Sequence, residues 1–470
     1  MSIIRNWQPF PITEKLFRNV PEASLSKVNA ALENCFQNES GGFSRFPGLE
    51  TFATIPGGGS VYLDDWRDDL IGVSGHGRVA RVEPDGTLED VTGVAVSGGR
   101  RVTFDKTIES LIMAAGALPV RFRGNKTELL SKDAPLSTHV ATLDDFVLAV
   151  ERDSGRFQHT QPGVENIWNP LDIFAATGKP DNISAMVITP FFELLMCGPD
   201  TIEQFERSTA EGIPFFRRWS TGEGVHAPYT VVVADNGTWA VNNVKEFVRF
   251  SNQTGVPESM DVANDLEGID DWRDAWAELF EAFGQRFIIL QMPHATNPYG
   301  TPGVTFLYDW RFQRWYNLYG WDAEKVLPKR WPGRSYHGLW GRHFIGGESG
   351  QIYEIKKTAY DNAGETQRQI IRSGHVDQWG RSRMDDLRIR VKRGVGPYAG
   401  EIPRLRLRMK SNNRTWSPWV SRDLGRPGHN DMMMEFGSFG IAETWQLEIE
   451  ITDAAEFEIV KVEASVTPVG

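Results

Sequence analysis

Apolar residues along this chain come in short bursts broken by Gly, Asp and Asn. Thr230-Val231-Val232-Val233-Ala234 is β-branched and apolar, Asp235-Asn236-Gly237-Thr238 turns, and Trp239-Ala240-Val241 returns. That is a strand, a tight turn and a strand. Leu70-Ile71-Gly72-Val73 and Gly77-Arg78-Val79-Ala80-Arg81-Val82 repeat the grammar, followed by a turn at Pro84-Asp85-Gly86. So do Val304–Asp309 and Arg314–Tyr319 around Trp310-Arg311-Phe312-Gln313, and Gly338–Gly347 with Gly350–Ile355. The bursts recur at a spacing of roughly 40 residues, the length of one four-stranded propeller blade. About seven such units fit between Thr51 and Lys357. The pattern predicts an all-β chain whose main domain, residues 51–357, is a β-propeller.

Two stretches depart from this grammar. Over residues 264–283, Trp272, Trp276, Leu279, Phe280 and Phe283 share one face at helical spacing, which predicts a helix packed on the ring. A shorter helix is predicted within residues 22–37. Beyond a polar boundary at 358–367, Leu387–Lys392, Leu405–Lys410 and Trp445–Ile451 alternate strictly. Period-two alternation buries one face and wets the other, so residues 358–470 read as an antiparallel β-sandwich. The glutamates of the last segment are placed to pair with Arg and Lys of neighbouring strands. Residues 1–50 read as a segment leading into the first blade.

Composition narrows the function. Apolar residues make up 40% of the 470, enough for a large core, and the net charge is −12. Gripping nucleic acid needs clustered Lys and Arg, so tight phosphate binding is a poor fit. The two cysteines, Cys35 and Cys197, lack metal-ligand spacing and read as free thiols. No stretch reaches the ~20 apolar residues of a membrane span, and the N-terminus lacks the apolar core of a signal peptide.

Each motif that suggests chemistry has a plainer reading. Gly75-His76-Gly77-Arg78-Val79-Ala80 matches a dinucleotide fingerprint, but a strand follows it instead of the helix the pyrophosphate needs, so it reads as a hairpin. Asp235–Trp239 resembles a sialidase Asp-box one residue short, and reads as an Asn-Gly turn. Asp64-Asp65-Trp66-Arg67-Asp68-Asp69 offers oxygen ligands for a hard cation without the rest of a Ca²⁺ loop, and reads as a turn. His337 and His343 lack the spacing of a zinc pair. No nucleophile elbow or phosphate loop occurs. No catalytic, cofactor or metal residues are expected. Trp315, Tyr316 and Trp331 are the candidates for interface anchors, where aromatic residues and Arg concentrate.

Arg45–Leu49, Phe192–Phe205, Gly224–Tyr229 with the Asp235 hairpin, and Ile289–Pro293 with Tyr308-Asp309 and Trp315 follow one another along the chain. In that order they resemble the packaged-DNA-stabilisation or tail hub (nozzle) proteins of short-tailed bacteriophages. Arg45-Phe46-Pro47-Gly48-Leu49 is similar to the Arg-x-Phe-Pro-Gly stretch that opens the propeller there, with the arginine one place closer. Phe192–Phe205 carries that family's strand, turn and Thr201-Ile202-Glu203-Gln204-Phe205 strand. Gly224–Tyr229 leads into the Asp235 hairpin, and Ile289–Pro293, Tyr308-Asp309 and Trp315 look like a later blade. The resemblance implies a virion tail protein assembled in the bacterial cytoplasm. It implies a ring of six copies below the portal and adaptor, joined to a tail needle, tip or fibre. Viral DNA would pass through the lumen without sequence-specific binding, and no catalysis is implied. Phe46 would plug a core while Pro47-Gly48 turns into the first blade. The competing class is a propeller that binds or hydrolyses glycans, which requires converging carboxylates at the axial mouth.

Overall fold

The computed structural model describes residues 7–12, 31–176, 178–208, 214–251, 253–392, 402–412, 414–425 and 431–469. Most strands lie in four-stranded antiparallel units. The first runs Val61–Trp66, Asp69–Ser74, Val79–Val82 and Leu88–Asp90; the second runs Thr103–Lys106, Leu111–Ala114, Val120–Arg123 and Lys126–Leu129. The third and fourth begin at Ser137–Leu143 and Ala185–Ile188, the fifth at Val232–Ala234 and the sixth at Trp276–Ala282. The seventh takes three strands from Ser335–Leu339, Arg342–Gly346 and Gln351–Lys356, and its fourth from Gly48–Thr54. The first strand of the seventh unit packs on that of the first, so the units close a ring.

Seven apolar cores are formed, six between successive blades and a seventh that joins blades six and seven to the interior of the C-terminal module. Leu70 belongs to the core shared by blades seven and one, and its neighbour Ile71 to the core of blades one and two. Ile112 and Met113 divide in the same way. Both faces of every blade are therefore buried, which is why the strands read as apolar bursts and not as alternation.

The chain closes its ring with a strand from near its start. Gly48–Thr54 pairs with Gln351–Lys356, so Phe46-Pro47-Gly48 leads into the last blade and not the first. The residues before it join the C-terminal module. Cys35–Gln37 and Phe43–Arg45 lie in a sheet with Glu458–Pro468, Ser382–Lys392 and Met432–Ala442. The facing sheet holds Gln369–Arg372, Trp445–Ile451, Arg404–Ser411 and Val420–Asp423, and through Ala31–Glu33 it continues the sixth blade.

The helix expected over 264–283 is not formed. A short helix, Ala263–Glu267, ends at Gly268, and Trp276–Ala282 is the innermost strand of the sixth blade. The spacing of four between Trp276 and Phe280 fits a helical turn, but it is also two strand periods. Phe283 and Gly284, with φ of 56° and 78°, then make the tight turn into Gln285–Thr296. Of the helix expected within 22–37, residues 22–30 lie outside the described residues, and the rest forms two short strands hinged at Asn34, φ 53°.

Candidate functional site

The innermost strands converge on the ring axis, and their polar residues meet there. Arg101 precedes the inner strand of the second blade, yet its guanidinium pairs with Glu278 of the sixth and donates to the Arg334 carbonyl at 2.6 Å. Blades two and six are not neighbours, so this side chain crosses the axis. It lies 4.8 Å from the Trp276 ring centroid and 5.1 Å from that of Tyr62, two aromatic faces that favour a cation. Burial raises the Glu278 pKa, opposed by Arg101 and by the backbone N–H of Tyr336.

A second cluster lies beside it. Lys106 Nζ is 2.9 Å from Asp64 and 2.6 Å from Asp65, and His337 Nε2 is 2.9 Å from Asp65. Burial works against the Lys106 ammonium, but Asp64 and Asp65 outweigh it and its pKa lies above the ordinary value. Asp64, Asp65 and His337 bring ligand atoms within 4.8 Å of one another, a donor set that could hold a divalent cation. The Lys106 ammonium bridges both carboxylates and offsets one of their two negative charges. Asp105 faces the third blade and accepts the Thr142 backbone N–H at 2.5 Å; burial pushes its pKa up to about 6. His139, buried and stacked 5.3 Å from Tyr229, is pushed down to about 4 by burial and by Arg100.

What this arrangement can do is lock blades together. Glycoside hydrolysis needs one protonated carboxyl and a second held about 5–9.5 Å away across a sugar. Here Asp64 and Asp65 share one ammonium, and Glu278 is held by Arg101 and a backbone N–H.

The residues singled out in the sequence are placed elsewhere. Arg45 is buried and donates to the Ala455 carbonyl at 2.8 Å, to Gln367 Oε1 at 2.7 Å and to the Tyr360 carbonyl. Phe46 plugs a core, 5.5 Å from Phe280. The Pro47 carbonyl accepts from Gln367 at 3.4 Å, and a Cβ on Gly48 would overlap the carbonyl oxygens of Asp361 and Ala359. The stretch welds the closing strand to the linker and the C-terminal module. Thr201 Oγ1 donates to Asp181 at 3.0 Å, and Ile202 and Phe205 enter the cores on either side of the fourth blade. Glu203 is wholly buried and accepts from the Gly178 N–H at 2.5 Å and from Arg217 at 3.2 Å.

Trp315, Tyr316 and Trp331 are not interface anchors. Trp315 stacks on Tyr308 at 4.5 Å and donates to the Glu258 carbonyl; Tyr316 and Trp331 fill the core between blade six and the module. Their size and flatness suit an inter-blade core as well as an interface, and sequence does not separate the two. Arg101, Lys106 and Glu278 escaped the sequence reading because each is ordinary in its own segment. Their shared signal is a polar residue in or just before the first strand of a repeat.

The strand order, the closed inner ring and the seven cores define a seven-bladed β-propeller with a β-sandwich fused to its sixth blade. No protein-family model matches the chain, and no curated protein does. Among solved structures it is similar to BamB from Moraxella catarrhalis, with 11% identity over 70% of this chain and 97% of that one and a TM-score of 0.40. It is also similar to virginiamycin B lyase from Staphylococcus aureus (8% identity, 63% of this chain and 94% of that one, TM-score 0.40). A third is an exo-β-1,3-galactanase from Phanerochaete chrysosporium (7% identity, 82% and 98%, TM-score 0.28). Such likenesses carry no statement about activity.

Proposed function

We propose that this chain is a non-catalytic structural protein of a short-tailed bacteriophage tail. Copies of it form a ring, six in the resemblance, that extends the DNA channel below the portal and adaptor. The ring connects to the tail needle or tip, retains packaged DNA and then lets it pass. The observation that carries the reading is the occupied axis. The site where a propeller enzyme would bind its substrate is spanned by the Arg101–Glu278 pair and flanked by the Lys106–Asp64–Asp65 cluster. The order of the four resembling stretches supports the same reading, and so does the net charge of −12. An acidic lumen repels phosphate and lets DNA slide.

Electron microscopy of the purified protein, alone and with a portal–adaptor complex, tests the proposal. A ring seated below the adaptor is the expected result. A protein that neither forms nor joins a ring overturns it, and turnover of a glycan lost on substitution of Glu278 or Asp65 would establish the competing class.

A further inference from the structure

The outer face of the C-terminal sheet carries an unusual layer of charge. Glu448 is wholly buried, paired with Arg372 on one neighbouring strand and with Arg408 Nε at 2.7 Å on the other. Glu450, one pleat away, is paired with Arg406 and lies 3.6 Å from Arg368. Trp416 and Trp419 lie over Arg408, with ring centroids at 4.7 and 4.4 Å, and Lys410 reaches the Trp416 ring. Five bases therefore surround two carboxylates on one sheet face; with Glu33 at its edge the excess is two positive charges. Arg406 keeps 42% of its side chain exposed, while Arg368, at the other edge of the face, lies under the Trp321 ring of the strand Tyr319–Asp322 at 5.9 Å.

The rest of the chain is acidic, and the acid is unevenly spread. Residues 258–274, the connector between blades five and six, hold seven carboxylates and one arginine, a net of −6 out of −12. Its apolar residues Val262, Leu266 and Ile269 are tucked into the core of those two blades, which turns Glu267 and Asp270 outward. A cationic aromatic face and an acidic ridge at different places on one chain are what a heterologous contact between identical copies requires.

We propose that the Arg406–Arg408–Lys410 face of one copy docks on the acidic 258–274 connector of a second copy of this chain. The inference rests on the ring reading above for its closure, and names the contact that builds the ring. Guanidinium groups already fixed by Glu448 and Glu450 and stacked on tryptophan lose little freedom on meeting a carboxylate, so the face is pre-organised.

The test is the mass of the full chain in solution and its assembly on the portal–adaptor complex, at low and high salt. Lys410→Glu alters the face without touching a buried glutamate, and Glu267→Lys alters an exposed end of the short helix. An unchanged unfolding midpoint shows that each variant folds. The expected result is salt-sensitive association weakened about tenfold or more by either substitution and restored by mixing the two variants. In an alternating ring of the two, every contact again opposes unlike charges, reversed at one contact and native at the next. Rings that form equally well with both variants overturn this contact and leave the ring reading standing. A wild-type chain that stays monomeric in both settings overturns both.

Discussion

Lys356 and Glu50, 306 positions apart in the sequence, meet at 2.6 Å on neighbouring strands of the seventh blade. The pair is exposed and contributes about 0–1 kcal/mol. What matters is the strand pairing around it, which carries Leu49 into the core and closes the ring. Gly48→Val is expected to prevent that closure, since the added side chain meets the Asp361 carbonyl and, at 2.6 Å, that of Ala359. Loss of near-ultraviolet circular dichroism with retained strand signal is the outcome to look for. A native-like unfolding midpoint for this variant would show that closure does not depend on this approach.

Removing one partner of the axial pair leaves the other buried and uncompensated. Arg101→Met should destabilise the protein by about 2–4 kcal/mol, less than for a fully buried pair because Glu278 keeps some contact with water. Glu278→Gln in the same chain should recover part of the loss. Urea unfolding of both single variants and the double variant gives the coupling, and additivity would show that the pair does not act as a lock.

Glu448 is the more demanding case, because its side chain is wholly buried between two arginines. Glu448→Gln should cost about 3–5 kcal/mol. The loss should appear in the C-terminal module first, as faster amide exchange in Gln369–Arg372 and Arg404–Ser411 than in the blades. Uniform loss of protection across the chain would show instead that module and ring unfold as one unit.

Two buried groups act in opposite directions on acid stability. His139 has its pKa lowered from 6.5 to about 4, so the unfolded chain binds the extra proton first. Its contribution is full above pH 6.5 and is lost as pH falls toward 4, by at most about 3 kcal/mol. Asp105 has its pKa raised from 3.8 to about 6, so the folded chain holds the proton. Its contribution is full below pH 3.8 and is lost as pH rises through 6. His139→Gln should flatten the first dependence and Asp105→Asn the second, measured as unfolding midpoints across that range. Parallel curves for wild type and both variants would exclude the assignment.

The buried thiols offer a probe of opening. Burial pushes Cys197 up to about 12 and raises Cys35 as well. A thiol reagent should label neither in the native state, because the thiolate is the reactive form. Labelling of Cys197 at an exposed-thiol rate would place the cleft between blades four and five in an open state.

Much of this was legible without coordinates. The apolar bursts set blade strands, and alternation set the sandwich strands Leu387–Lys392 and Leu405–Lys410. Trp445–Ile451 also alternates but is buried on both faces, because its glutamates are covered by arginines of the neighbouring strands. The Trp276–Ala282 strand was misread because a spacing of four satisfies both a helix and a strand, and only the ring offered two surfaces for it to fill. The Arg/Glu ladder was anticipated from the alternation of charge in its strands, and Arg406 does oppose Glu450 in register.

The local elements were written into the chain, since period, turn residues and charge alternation act between near neighbours. Three relationships came from the folded ring alone: Gly48–Thr54 closes the last blade, Arg101 crosses the axis to Glu278, and His337 joins Asp64 and Asp65. Each depends on which blades the closed ring brings face to face, a geometric condition with no trace in the spacing of any single segment.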